Sequence, residues 1–112
     1  MVKKYIPERG DIITINLNPQ AGHEQAGRRP ALVLSPRTYN EKVGLAILCP
    51  ITSQSKGYPF GTNLSGNGEI TGVVLSDHVK NLDWKIREAR FVEKAKVAVV
   101  TDVLEKLSTL LF

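Results

Sequence analysis

The segment Asp11–Leu17 alternates, with Ile13, Ile15 and Leu17 on one side and Thr14 and Asn16 on the other. A period of two cannot line one face of a helix, so this stretch is a half-buried β-strand. The apolar runs Ala31–Ser35 and Leu45–Cys49 read as further, more buried strands. Pro50 is expected to stop the second, because it has no N–H to give to a ladder. Between these runs, Ser35 is a good N-cap, Pro36 suits the first helical position and Gly44 is a stop, which fits one or two helical turns. Ser65-Gly66-Asn67-Gly68 marks a turn, and Thr71–Ser76 is the strand after it. Ile86–Val92 reads as another strand, and the short apolar run Val97–Val100 fits one more. From Thr101 the period changes. Val103, Leu104, Leu107, Leu110 and Leu111 mark one helical face, and Asp102 with Glu105 has the capping-box spacing. Short strands followed by a terminal helix predict a mainly β (α+β) chain, a small barrel closed by that helix.

With 112 residues the chain is expected to be one domain over its whole length. A domain of this size buries roughly two-thirds of its unfolded surface, enough for one modest core. Hydrophobic residues at 42% and charged residues at 23% exclude wholesale disorder. The single cysteine, Cys49, ends an apolar run and is expected in the core. The opening MVKKYIPERG has no apolar run after its lysines, and no window approaches the ~20 apolar residues of a membrane span. A soluble, cytoplasmic protein with no membrane association is therefore expected. Fifteen Lys and Arg against eleven Asp and Glu give a net charge of +4. That surplus is compatible with a polyanionic partner without establishing one. Two isolated histidines and one cysteine have no zinc spacing, and no Gly-rich strand–helix junction suggests a nucleotide. No metal and no cofactor are expected.

The most informative segment is the polar stretch Asn18–Arg29, NPQAGHEQAGRR. Its twelve residues join two strands that a hairpin connects with about two to five. It sets His23, Glu24, Gln25, Arg28 and Arg29 among small residues, which let a backbone approach a ligand closely. Pro30 biases Arg29 toward extended geometry, and an arginine at the mouth of a strand can grip a phosphate with two parallel hydrogen bonds. The competing reading is a solvated loop whose charges serve solubility.

Four blocks go further. AGHEQAGRRPALVLSP, the opening ERGDIITINLNP, CPITSQSKGYPF at Cys49–Phe60 and GVVLSDHVKNLDW at Gly72–Trp84 resemble, in order and spacing, the signature stretches of the MazF/PemK/Kid family of toxins. The match runs from about Tyr5 to Arg87, and the C-terminal helix agrees in position more than in sequence. The resemblance implies an SH3-like barrel that pairs as a homodimer, and a sequence-selective, metal-independent endoribonuclease cutting single-stranded messenger RNA. It also implies a toxin–antitoxin system, with a cognate antitoxin whose acidic, flexible tail lies in the RNA groove. Arg29 and Thr52 occupy positions similar to the family's catalytic arginine and hydroxyl residue, and His23 and Glu24 fall where some members are thought to use an acid or base. Asp77 matches a carboxylate of a Kid-like branch. That branch has an arginine two residues earlier, where this chain has Leu75, which favours the MazF-like branch.

The chemistry of the residues is consistent with that role. Cleavage by the RNA's own 2′-hydroxyl needs a base, an acid for the leaving oxygen, and positive charge where the phosphorane develops, and it leaves 2′,3′-cyclic phosphate and 5′-hydroxyl ends. Arg29 supplies permanent charge. His23, with an ordinary pKa of about 6.5, and Glu24 compete for the proton-transfer role. Thr52 cannot act as a base, but its hydroxyl can hold a phosphate oxygen. Gln25, Arg28, Lys56, Tyr58 and Asp77 are candidates for binding the strand, by charge, hydrogen bonding or base stacking. Tyr58 reads as a surface residue and Trp84 as a core residue. Asp77 and His78 are expected on a strand, facing opposite ways in structural roles. Two rivals remain: a non-enzymatic toxin of similar fold that inhibits a topoisomerase by protein contact, and a noncatalytic RNA-binding module. Fold alone does not separate them.

Overall fold

The computed structural model describes residues 4–18, 27–53 and 57–112. Seven antiparallel strands and two helices follow in the order β1 (Asp11–Asn16), β2 (Arg28–Val33), α1 (Arg37–Val43), β3 (Leu45–Thr52), β4 (Gly61–Asn63), β5 (Val73–Leu75), β6 (Lys80–Asp83), β7 (Arg90–Lys94) and α2 (Val97–Leu111). The strands lie in the order β4-β5-β3-β2-β1-β7, with β6 also pairing β3. The path ends at β4 and β7 without joining them, so the expected barrel is barrel-like but open.

Both faces of the sheet are covered. Ile13, Ile15 and Leu17 join Ala31, Val33, Ala46 and Leu48 in one cluster, closed by Tyr5, Leu82, Trp84 and Ala89. On the other face Ile12, Leu32, Cys49, Ile51, Leu64 and Val74 meet Val103 and Leu107 of α2. Burying each such Leu or Ile contributes roughly 1.5–3 kcal/mol. The first strand is therefore buried on both sides at its start, where its sequence reads as half-buried, because α2 lies over Ile12. Asp11, also buried there, is neutralised by Lys94 Nζ at 2.5 Å and accepts a hydrogen bond from the Tyr5 hydroxyl at 2.6 Å.

Several local expectations are corrected. Pro50 does not stop β3, which continues to Thr52. Along one edge β3 pairs β6 through Leu48 and β5 only from Ile51, and Pro50 falls in the gap between them. Ser35 does not cap α1. Its hydroxyl donates to Asn40 Oδ1 at 2.5 Å and accepts from the Ile47 N–H at 2.8 Å, while Pro36 takes the cap position. Gly44 ends the helix in the left-handed region at φ +81°, as its position predicts. Val97–Val100 is the first turn of α2 and not a strand. The capping box at Asp102 is likewise absent. Asn67 Oδ1, from the turn before β5, accepts the N–H of Lys96 at the true N-terminus at 2.6 Å. Ile86–Val92 divides into the end of a turn and the start of β7. Asp77 and His78 lie in a 3-10 turn, Ser76–His78, and not on a strand.

Candidate active site

The pairing of β2 with β3 sets Ala31 opposite Pro50, Leu32 opposite Cys49 and Val33 opposite Leu48. Carrying that register two residues further toward the sheet's end puts Arg29 opposite Thr52. Both then share one face, since each is two residues from a partner in the pair Ala31–Pro50. Directly opposed residues bring their Cβ atoms to about 5 Å. Arg29 also pairs with Ile15 of β1, so its backbone is held between two strands while its side chain stays half-exposed. Thr52 is buried at the end of β3. The register therefore sets Arg29 and Thr52 on one face at the mouth of the loop that separates β1 from β2.

Gly72 supports this corner, and nothing in the sequence marks it. Its φ is +118°, and a Cβ there would lie 2.4 Å from the Thr52 carbonyl oxygen. Only glycine lets β5 come this close to the residue that presents the hydroxyl. A cleft of about 460 Å³ opens alongside, lined by Ser53, Tyr58, Asn63, Thr71, Gly72 and Val73 among others.

The remaining candidates are distributed around this corner. Tyr58 is on the surface, as its sequence context predicts, and its hydroxyl donates to the Asp77 carboxylate. That bond holds the Tyr58 phenol above its ordinary pKa. Asp77 lies four residues beyond Val73, the partner of Thr52, and it reaches the cleft through Tyr58. Arg28 faces away from Arg29, and its Nη2 donates to the Glu88 carbonyl at 2.5 Å and to Thr14 Oγ1 at 3.1 Å. His23, Glu24, Gln25 and Lys56 lie outside the described residues. His78 is half-buried beside α2, and its Nδ1 has no hydrogen-bond partner among the described residues.

Two ambiguous residues are assigned to the core. Cys49 is fully buried, and burial followed by the nearby Asp77 charge pushes its thiol up to about 12. A thiol in that state is no nucleophile. Trp84 packs on the Ile13 cluster and donates its Nε1–H to the Asn40 carbonyl at 2.9 Å, so it anchors α1.

Comparison with known proteins agrees with this architecture. Residues 8–111 match the family described as PemK-like, MazF-like toxin of type II toxin–antitoxin systems. The chain is 52% identical over 89 residues to the endoribonuclease toxin MazF of Escherichia coli K12, a match covering 80% of this chain and 79% of that one. It superposes on MazF from Deinococcus radiodurans with a TM-score of 0.93 at 49% identity, covering 96% of this chain and 98% of the other. It superposes equally fully, at a TM-score of 0.86 and 47% identity, on a chain of a MazE–MazF complex from the same organism, over 96% and 97% of the two chains. On sequence and fold together, the chain belongs to the PemK-like, MazF-like toxin family.

Proposed function

We propose that this chain, as one domain over its full length, is the endoribonuclease toxin of a toxin–antitoxin system and cuts single-stranded RNA by transesterification. The observation that supports the reading is the β2–β3 register, which, carried two residues on, sets Arg29 and Thr52 on one face near a cleft lined by Tyr58 and short polar side chains. A phosphodiester seated at this corner meets a permanent cation and a hydroxyl donor, the two groups that a developing phosphorane needs most. The 2′-hydroxyl is already tethered next to phosphorus, and that proximity makes a metal-generated hydroxide unnecessary. The 2′-oxygen bonds to phosphorus as its proton passes to His23 or Glu24, and the P–O5′ bond breaks as the 5′-oxygen takes a proton from water. Similarity to relatives named as endoribonuclease toxins supports the activity, and similarity to a chain solved with MazE supports an antitoxin as partner. An acidic, flexible antitoxin tail suits a groove framed by Arg29 in a chain of net charge +4. The working form is a cytoplasmic homodimer. No helix among the described residues is long and apolar enough to cross a membrane.

The test is cleavage of a defined single-stranded RNA in a chelator. The expected products carry 2′,3′-cyclic phosphate and 5′-hydroxyl ends. Replacing the ribose on the 5′ side of the cut by deoxyribose should block cleavage and leave binding in place. Undiminished cutting of the substituted strand overturns the mechanism. Tight binding without cutting of any natural RNA favours a noncatalytic module.

A further inference from the structure

The strands that carry Arg29 and its neighbour β1 end at a long loop, and past Asn16 the ladder gives β1 no further partner in β2. The stem runs on for one more step, with the Leu17 N–H donating to the Gly27 carbonyl at 2.8 Å and the Gly27 N–H donating to Asn18 Oδ1 at 2.9 Å. One residue of the turn between β6 and β7 also grips this end from outside the hairpin. Arg87 accepts the Asn16 N–H on its backbone carbonyl at 3.1 Å, and its Nη1 donates back to the Asn16 carbonyl at 3.1 Å and to the Asn18 carbonyl at 2.7 Å. From the other stem, Arg28 reaches the next residue of the same turn, the Glu88 carbonyl. Glu88 has a φ of +54°, the one positive value outside glycine among the described residues. Such a conformation persists where the surroundings over-determine it.

We propose that Arg87 is a positioning residue for Arg29: it staples the end of β1 so that the paired strand presents the guanidinium at a fixed height opposite Thr52. The chain of contacts is short, because Ile15 pairs Arg29 and Asn16 pairs Arg28. Releasing Asn16 and Asn18 loosens the two residues that set the position of Arg29. Arg87 faces backbone carbonyls, which have no charge to titrate and cannot be replaced by mutation elsewhere. A planar guanidinium serves two such acceptors at once from a pre-oriented group. The inference rests on the RNA-cutting reading above.

The experiment compares wild type, Arg29→Ala, Arg87→Met and Arg87→Lys on one RNA, measuring kcat, KM, salt dependence and thermal midpoint. Arg87→Met keeps the apolar stem and removes the donors. Its kcat should fall roughly 10- to 100-fold, the size of loss that a misplacement of about 1 Å produces, with KM changed less than about threefold. Arg87→Lys restores donors without the planar fork and should recover part of kcat. In Arg87→Met the amides of Asn16 and Leu17 should exchange faster with deuterium, and the amide of Val33 at its old rate. Full kcat in Arg87→Met with the wild-type fold overturns the proposal. So does a raised KM with unchanged kcat and a salt slope shallower by about one, the mark of a direct phosphate contact. If Arg87→Met does not fold, the kcat and KM of Arg87→Lys decide by the same criteria. Wild type that cuts no RNA overturns the functional reading instead, and Arg29→Ala sets the floor against which the Arg87 variants are ranked.

Discussion

Arg29 stands in β2 one residue after the strand emerges from the loop and belongs to neither apolar cluster. Truncating it opens no cavity, so Arg29→Ala should unfold within a few degrees of wild type. Its RNA cleavage should fall by about 100-fold or more, the usual loss when a transition-state donor is removed. Near-wild-type cutting by the folded variant would take Arg29 out of the mechanism. The sequence makes Arg29 legible because a long polar loop ending in Arg-Pro departs from what a hairpin needs. Thr52 is legible only through its block's likeness to a family, since a threonine at a strand end is ordinarily a turn residue. Gly72 and Arg87 are illegible for a common reason. The need for a missing Cβ, or for a guanidinium over two carbonyls, exists only once the chain has brought Thr52 to Gly72 and Asn18 to Arg87.

At the level of elements, α2 is joined to the sheet by polar contacts as well as by Val103 and Leu107. Asp102 accepts the Thr62 hydroxyl proton at 2.6 Å and pairs with Lys106 Nζ at 2.9 Å, and Lys106 also donates to the Gly61 carbonyl at 2.6 Å. The Thr62 hydrogen bond, then Lys106, holds the Asp102 carboxyl below its ordinary pKa. A depressed carboxyl stabilises the fold above its unfolded value of about 4 and ceases to do so as pH falls through its folded value. Asp102→Asn should therefore unfold at lower denaturant than wild type near pH 7, and the two curves should converge below about pH 4. A gap that stays constant with pH would remove the charge from this contact. The same junction explains the misread start of α2. Val97–Val100 carries a β-branched apolar run that looks like a strand, and its helical state is set by tertiary packing of Val99 and Val100 and by Asn67, thirty residues upstream of that run. Pro50 misleads for a related reason. Proline stops a strand that needs its N–H, and whether that is so depends on where β6 ends and β5 begins. The shared face of Ile13, Ile15 and Leu17 and the helical state after Thr101 survive translation into structure because each reports one element and needs no partner to be read. Of the expected helical face, only Val103 and Leu107 are buried, and Leu104, Leu110 and Leu111 stay exposed.

For the whole molecule, the surplus of +4 sets how it meets a polyanion. RNA affinity should fall steeply with added salt as counterions are released, and an acidic peptide should compete for the same groove. An affinity indifferent to salt would point instead to apolar protein contact, as a topoisomerase inhibitor requires. Cys49 has a consequence of another kind. It is the chain's one thiol, it has no exposed surface, and its proton is held until about pH 12. Once the chain opens, its pKa returns to about 8.5 and the thiolate becomes available to an alkylating reagent. Covalent labelling of the native protein near pH 8 should then proceed only as often as β3 is released from between β2 and β5. The rate at which iodoacetamide adds a single mass increment therefore reports the fraction of time the core is open, and the opening rate itself once the reagent outpaces reclosing.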